Sequence, residues 1–316
     1  MRNDDKLFKE NMKKTFLLFC FFISLCIYGE ENTNNRESYE FGIKFQKITF
    51  VPYEYKSIYS RLIEPKSSLK NNDDLIFPAF FKYRNFDKKF GIDIDLQTLK
   101  TNNLTYDSID TMPSGSFYYQ NRLGSVRRDD FNVNFLYLPF NSNPQILHFG
   151  LGIKKIDREF TTEILNSSGI YYDKINTHGL SIPIKSNINI FENFDINLAF
   201  DPYITLGSRK YIKQNIFTSY YDNAQYPFII YSYTNPNAIA QILGFQIDVS
   251  FSYRFFDRFK FYFGLNRNHS EIKFIHSNEA NYRYFDGTKT LLYFPETQDR
   301  RFDSINSIYF GISTIL

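Results

Sequence analysis

Residues 242–265, ILGFQIDVSFSYRFFDRFKFYFGL, constrain the fold more than any other stretch. From Leu243 every second residue is large and apolar: Leu243, Phe245, Ile247, Val249, Phe251 and Tyr253. Gly244, Gln246, Asp248, Ser250, Ser252 and Arg254 lie between them. Strand side chains alternate between faces, so this segment has one apolar and one polar face. After a tight turn at 255–258 the pattern resumes, with Phe259, Phe261, Phe263 and Leu265 against Lys260, Tyr262, Gly264 and Asn266. Soluble sheets alternate too. Here the apolar face is almost entirely Phe, Leu, Ile and Val over about ten residues, the length of a tilted strand crossing a bilayer. Ile247, midway along the first arm, is expected near the bilayer midplane.

The alternation recurs along the chain. It is legible at 39–50, 75–83, 90–99, 131–137, 146–153, 182–190, 196–200 and 307–316. In the first of these, Phe41, Ile43 and Phe45 share a parity that Ile48 and Phe50 break, which predicts a bulge at Gln46–Lys47. Pro78 weakens the second. Short connections near 84–89, 139–145, 191–194 and 255–258 alternate with long polar ones near 52–74, 100–126, 157–178, 212–238 and 276–302. Membrane barrels have short periplasmic turns and long outside loops. The spacing therefore predicts an all-β, antiparallel, up-and-down transmembrane β-barrel of about ten strands with both termini on the short-turn side. Counting Tyr226–Tyr233 as a barrel strand would give twelve; it reads instead as a hairpin extension above the membrane.

Composition is consistent with this without proving it. Mean hydropathy is negative, and half of each barrel strand is polar, so no bulk hydropathy signal is required. The 36 Phe and 25 Tyr matter through their placement rather than their number.

At the N-terminus, Lys13-Lys14 precede a 14-residue apolar run, TFLLFCFFISLCIY, too short for a membrane helix and suited to a signal-peptide core. Cleavage after Gly29, with translation starting at Met12, divides the chain into a signal peptide at 1–29 and a barrel at 30–316. Both cysteines, Cys20 and Cys26, lie in the leader, behind Phe19 and Leu25 rather than the small residue that lipidation requires. An exported chain without cysteine has no disulfide, thiolate metal site or cysteine nucleophile. The formal net charge of +3 gives no basic bias toward nucleic acid.

The chain ends SINSIYFGISTIL, where Ile308, Phe310, Ile312 and Leu316 share a parity interrupted by Thr314. This resembles the closing strand of bacterial outer-membrane β-barrel proteins, which the barrel-insertion machinery reads. Leu316 replaces the usual terminal aromatic, and Thr314 stands where an aromatic is common. The resemblance spans the exported chain at the level of architecture. It implies a porin-like or surface-exposed protein of a Gram-negative-type outer membrane, with outer-membrane lipid and the insertion machinery as partners.

Strand parity assigns the lumen lining to Lys44, Asp93, Asp95, Gln97, Asn132, Asn134, Lys185, Asn187, Asn189, Asp195, Gln246, Asp248, Arg254 and Lys260. Both signs of charge are present. About ten strands enclose an interior that side chains can largely fill, so the lining reads either as a hydrogen-bonded plug or as a narrow pore. Asp93-x-Asp95 is similar to the Asp-x-Asp of omptin proteases, which are ten-stranded barrels, but their Asp-x-His partner is missing and the pair follows a short turn. Asn268-His269-Ser270 is similar to the Asn-His-x-Ser of outer-membrane phospholipases, but adjacent His and Ser point to opposite faces. His276-Ser277 fails in the same way. His148 is expected as an interior hydrogen bonder, His178 stands at a loop–strand junction, and no metal-ligand spacing occurs. Tyr220-Tyr221 and Tyr231-x-Tyr233 read as a loop ligand surface or an aromatic girdle. The expectation is a non-enzymatic barrel without cofactor, acting as a narrow pore or as a surface binding and structural protein. The alternative is an outer-membrane protease or lipid hydrolase with a site at the extracellular rim.

Overall fold

The computed structural model describes residues 37–55, 69–112, 115–142, 145–164, 169–191, 193–221, 224–234, 238–255, 258–275, 279–285, 288–294 and 301–316. The expected signal peptide lies outside them. The strands in chain order are β1 (Glu37–Val51), β2 (Leu69–Lys70), β3 (Asp73–Ile76), β4 (Ala79–Asn85), β5 (Phe90–Met112), β6 (Gly115–Ser142), β7 (Gln145–Ile164) and β8 (Gly169–Ser181). Then follow β9 (Ile184–Phe191), β10 (Phe194–Tyr221), β11 (Ala224–Thr234), β12 (Ile239–Phe255), β13 (Phe259–Ile275), β14 (Glu279–Phe285), β15 (Thr288–Phe294) and β16 (Arg301–Ile315).

Ten antiparallel staves close a barrel in the order β1, β3/β4, β5, β6, β7, β8/β9, β10, β12, β13, β16, and β16 pairs back onto β1 from Glu40↔Ile315 to Val51↔Ser304. Two staves are broken by proline, which has no N–H to give to a ladder. β3/β4 breaks at Phe77–Pro78 and β8/β9 at Ile182–Pro183. The ladder bridges both breaks through the proline carbonyls, which accept from Lys44 N–H and Gly150 N–H at 2.8 and 3.0 Å. β11 pairs with Ile212–Tyr221 of β10, β14 with β11, and β15 with β14. The stretch 226–233 is thus a hairpin extension beyond the barrel wall. No helix among the described residues is long and apolar enough to cross a membrane, which has no bearing on crossing by strands.

The side-chain pattern inverts part-way up the wall. On β7, Phe149, Leu151 and Ile153 face outward and exposed, followed by Lys155, Asp157 and Glu159 on the same face. Its inward face runs His148, Gly150, Gly152 and Lys154, then Ile156, Arg158 and Phe160, the last three buried. On β5, Leu96 gives way outside to Thr98 and Lys100 while Leu99 turns in. On β16, Ile308 gives way to Asn306 while Ile305 turns in. Within the lipid belt the barrel is apolar outside and polar inside; beyond it, water is outside and the lumen becomes the place to bury apolar area.

This corrects two expectations. β1 keeps an unbroken register with β16 through Gln46↔Tyr309 and Lys47↔Ile308, so there is no bulge at Gln46–Lys47. Ile48 and Phe50, both 0 % exposed, change parity because they leave the belt and enter a core. Much of 100–126 and 157–178, expected as polar loops, is ladder: β5 and β6 stay paired to Met112↔Gly115, and β7 and β8 to Ile164↔Gly169. Ile247, flanked by Phe200 on β10 and Arg267 on β13, stands one outward step above Val249, which lies between Leu198 and Leu265 at the centre of the apolar face that β12 shows from Leu243 to Phe255.

Candidate functional site: a closed lumen over a polar vestibule

The short connections face the periplasm by the usual rule for outer-membrane barrels. At that end the lumen holds a cavity of about 880 Å³, bordered at its mouth by Ser38, Phe86, Asn193, Arg254 and Ile315. Of the expected lumen residues, Lys44, Asp93, Asp95, Asn132, Asn134, Lys185, Asn187, Asn189, Asp195, Gln246, Asp248, Arg254 and Lys260 border it. Gln97 shares their face of β5 but stands above the cavity, between Asp95 and buried Leu99.

Most charges here are paired, as burial of ions demands. Asp93 is held between Arg84 Nη1 and Lys185 Nζ, each at 2.5 Å. Lys260 meets Asp195 at 2.9 Å. Asp248 accepts from Lys44 at 3.3 Å, Asn266 at 3.1 Å and Tyr309 at 2.7 Å. Glu40 accepts from Lys82 and Tyr262. Amides close the rest: Asn187 donates to Asn197 at 2.9 Å, Asn189 to Asp195 at 3.0 Å and Asn132 to Asp201 at 3.1 Å. Asp93 is therefore an anchored counter-ion, and the Asp93/Asp95 pair is not a shared-proton dyad.

Above the vestibule the lumen is closed, by residues that sequence reasoning missed. β1 ends before Pro52, and residues 53–55 are helical, with Tyr55 N–H donating to the Pro52 carbonyl at 3.2 Å. The turn carries Tyr53 and Glu54 into the barrel, where they are 3 % and 5 % exposed. Tyr53 N–H donates to Asp303 at 2.8 Å, and its hydroxyl donates to Asp173 at 2.6 Å. Arg158 grips both oxygens of Glu54, at 2.8 and 2.5 Å, and donates Nε–H to Asp303 at 2.8 Å. Arg209 pairs with Asp173 at 2.9 Å, and its guanidinium lies 3.5 Å from the Phe274 ring centroid. Arg128 pairs with Asp130 at 2.8 Å and reaches Ser270 and the Tyr203 hydroxyl at 3.4 Å.

This layer stands outside the belt, because Lys155, Asp157 and Glu159 flank Arg158 on the outer face of β7. Burial pushes the Glu54 carboxyl up from its ordinary range, with Arg158 opposing it. Burial works against the charge on Arg158, but Asp303 and Glu54 hold it protonated, well above the usual guanidinium range. Two apolar clusters pack around these groups. One holds Ile48, Phe50, Leu99, Leu104 and Phe160; the other holds Tyr53, Ile156, Ile175, Ile242 and Ile272. The signal for the closing layer was present in the sequence as single inward Arg, Asp and Glu residues, but it lay in stretches whose parity had inverted.

The hydrolase-like motif separates as expected: His269 faces outward and Ser270 is 0 % exposed inside. His269 Nδ1 lies 2.8 Å from the hydroxyl of Ser304 on β16, and its ring stacks on Phe302 at 5.4 Å. Ser304 is itself buried, linking two strands. His148 is buried on the vestibule wall, and His178 faces outward above the belt. Tyr220, Tyr221, Tyr231 and Tyr233 lie on β10 and β11; their side chains are outside the described residues. Among the described residues no group of three or more His, Cys, Asp or Glu could hold a metal.

The chain is similar to several known proteins. The outer membrane protease OmpT from Escherichia coli is 12 % identical, with 92 % of this chain and 99 % of that chain covered at a TM-score of 0.51, a likeness of fold alone. The Pseudomonas putida toluene transporter TodX is 8 % identical over 88 % of this chain and 89 % of that one, TM-score 0.31. The Ralstonia pickettii toluene transporter TbuX is 9 % identical over the same shares, TM-score 0.34. No curated protein matches. The family described as predicted outer membrane protein, Leptospiraceae, matches residues 35–315, nearly the whole described barrel. The chain is an outer-membrane β-barrel and belongs to that Leptospiraceae family.

Proposed function

We propose that this protein is a closed, non-enzymatic surface barrel, a structural and binding scaffold that presents its long hairpins outside the cell. The observation that carries this reading is the Arg158–Asp303 ion pair. β7 and β16 are five staves apart in either direction round the ring of ten, so a 2.8 Å contact between their side chains spans the lumen. A lumen crossed by ion pairs and packed with apolar side chains has no continuous water path at that level. The hairpin sheet β10–β11–β14–β15 supplies surface beyond the belt. We assign the lipid contact to the apolar belt, and recognition by the insertion machinery to β16.

A second reading, narrow gated passage, draws on the polar vestibule and on a closing segment that meets the wall chiefly through Tyr53 and Glu54. Planar-bilayer recording of the refolded protein separates the two. The scaffold predicts steady silence across the physiological voltage range; sustained conductance by the unaltered protein would overturn it in favour of a pore. Assays of the same preparation on phospholipid and peptide substrates test the enzyme alternative, for which turnover above a heat-denatured control is the deciding result.

A further inference from the structure

We propose that the periplasm-facing vestibule is a binding site for a small uncharged polyol, a mono- or disaccharide. This stands whether the barrel scaffolds or conducts. The cavity is capped above by the Arg158 layer and opens among the short turns, so a solute enters and leaves on one side only.

Its wall presents three buried polar atoms without a hydrogen-bond partner: Asn134 Nδ2, Asp201 Oδ1 and His148 Nε2. Their residues are 0 %, 6 % and 8 % exposed, and all three border the cavity. Asn134 Nδ2 can only donate and Asp201 Oδ1, in a carboxylate, only accepts, while His148 Nε2 does either according to tautomer.

Two of these groups are fixed from behind. Asn132 donates to Asp201 Oδ2 at 3.1 Å, leaving Oδ1 without a partner. Ser181 donates to Asn134 Oδ1 at 3.2 Å, leaving Nδ2 without a partner. Gly152 makes that arrangement possible: a Cβ there would stand 2.0 Å from Asn134 Oδ1 and 2.3 Å from Ser181 Oγ. One end of each side chain is tied while the other lacks a partner, so a ligand that meets it orders little that is not already ordered.

The chemistry selects the ligand class. A cation would satisfy Asp201 and be repelled by the Asn134 donor; an anion would do the reverse. A hydroxyl both donates and accepts, and a ring of hydroxyls meets both groups together. Several neighbouring charges are spent on one another, as in Arg84–Asp93–Lys185 and Lys260–Asp195, and the six acidic and six basic side chains that border the cavity balance, so little net charge draws an ion in.

Saturation-transfer NMR on the full chain refolded in lipid nanodiscs tests this, with glucose, maltose and N-acetylglucosamine as neutral probes and spermidine and citrate as charged ones. The expected result is transfer to at least one neutral sugar, weakened about tenfold in apparent affinity by Asn134→Ala, the loss of one well-placed hydrogen bond. Asp201→Asn, which keeps size and shape, serves where Asn134→Ala fails to fold, and is expected to weaken sugar binding as well. No transfer to any sugar, transfer indifferent to both substitutions, or stronger binding of spermidine or citrate would each overturn the proposal.

Discussion

Arg158 on β7 and Asp303 on β16 stand on diametrically opposed staves, yet their side chains meet at 2.8 Å, and Arg158 simultaneously forks onto Glu54. One cation thus ties both walls of the barrel to the turn that enters from β1. Arg158→Ala leaves two buried carboxylates facing a void. Removing one partner of a buried pair typically costs about 3–5 kcal/mol. The expected outcome is a urea midpoint in lipid vesicles shifted down accordingly, together with sporadic conductance in bilayers. An unchanged midpoint with an unchanged silent baseline would show that the pair does not hold the barrel shut.

Glu54 gives this layer a pH dependence with a definite sign. Its carboxyl is raised in the folded barrel, chiefly by burial, so folding favours its protonated form. The stability linked to that proton is fully present below the unfolded carboxyl pKa and is lost as pH rises through the folded value. Glu54→Gln removes the titration while keeping the shape. The stability of the unaltered protein minus that of Glu54→Gln is therefore expected to fall as pH rises from acid toward neutral. Urea titrations of both proteins at several pH values measure it, and a difference that rises over that interval contradicts the assignment.

The number of staves, their antiparallel order and the lower lumen were legible because one rule, apolar outside and polar inside, holds from the short turns to the belt rim. Phe261, Phe263 and Leu265 obey it, and so do Lys260, Tyr262 and Asn266. The upper barrel was not legible because the same strands reverse the rule. Ile272 is buried inside while Lys273 is exposed outside, and a reader carrying the lower parity upward meets an apparent slip or loop. Glu54 was less legible still. Its partner Arg158 is 104 positions away, and only a closed barrel brings the two together.

The inverted region should behave like the core of a soluble protein. Phe160 is 2 % exposed and meets Tyr171 edge-on at 5.0 Å. Phe160→Ala is expected to cost about 3–5 kcal/mol by leaving a cavity. Thr161, next along β7 and exposed, should tolerate alanine within about 0.5 kcal/mol. Equal tolerance at both positions, read by urea midpoints, would refute a packed core above the belt.

The belt itself makes the last prediction. Val249 faces outward between Leu198 and Leu265, with Phe251 and Ile247 as its neighbours along β12. Arginine at that depth has no water to reach, and Val249→Arg is expected to cost roughly 2–4 kcal/mol, the figure for a basic residue near the midplane. Ile247→Arg should cost somewhat less, because it stands one outward step nearer the interface, toward which a guanidinium can snorkel, and Arg267 lies directly opposite. The ordering of the two substitutions matters more than either value, since a soluble sheet would rank them by packing alone. Refolding of both variants into vesicles, followed by the gel shift between unheated folded and heated unfolded forms, supplies the ranking. Thinner bilayers should narrow the gap by bringing Val249 closer to the interface. A gap that ignores bilayer thickness, or an Ile247→Arg protein less stable than Val249→Arg, would contradict the placement of Val249 nearest the centre of the belt.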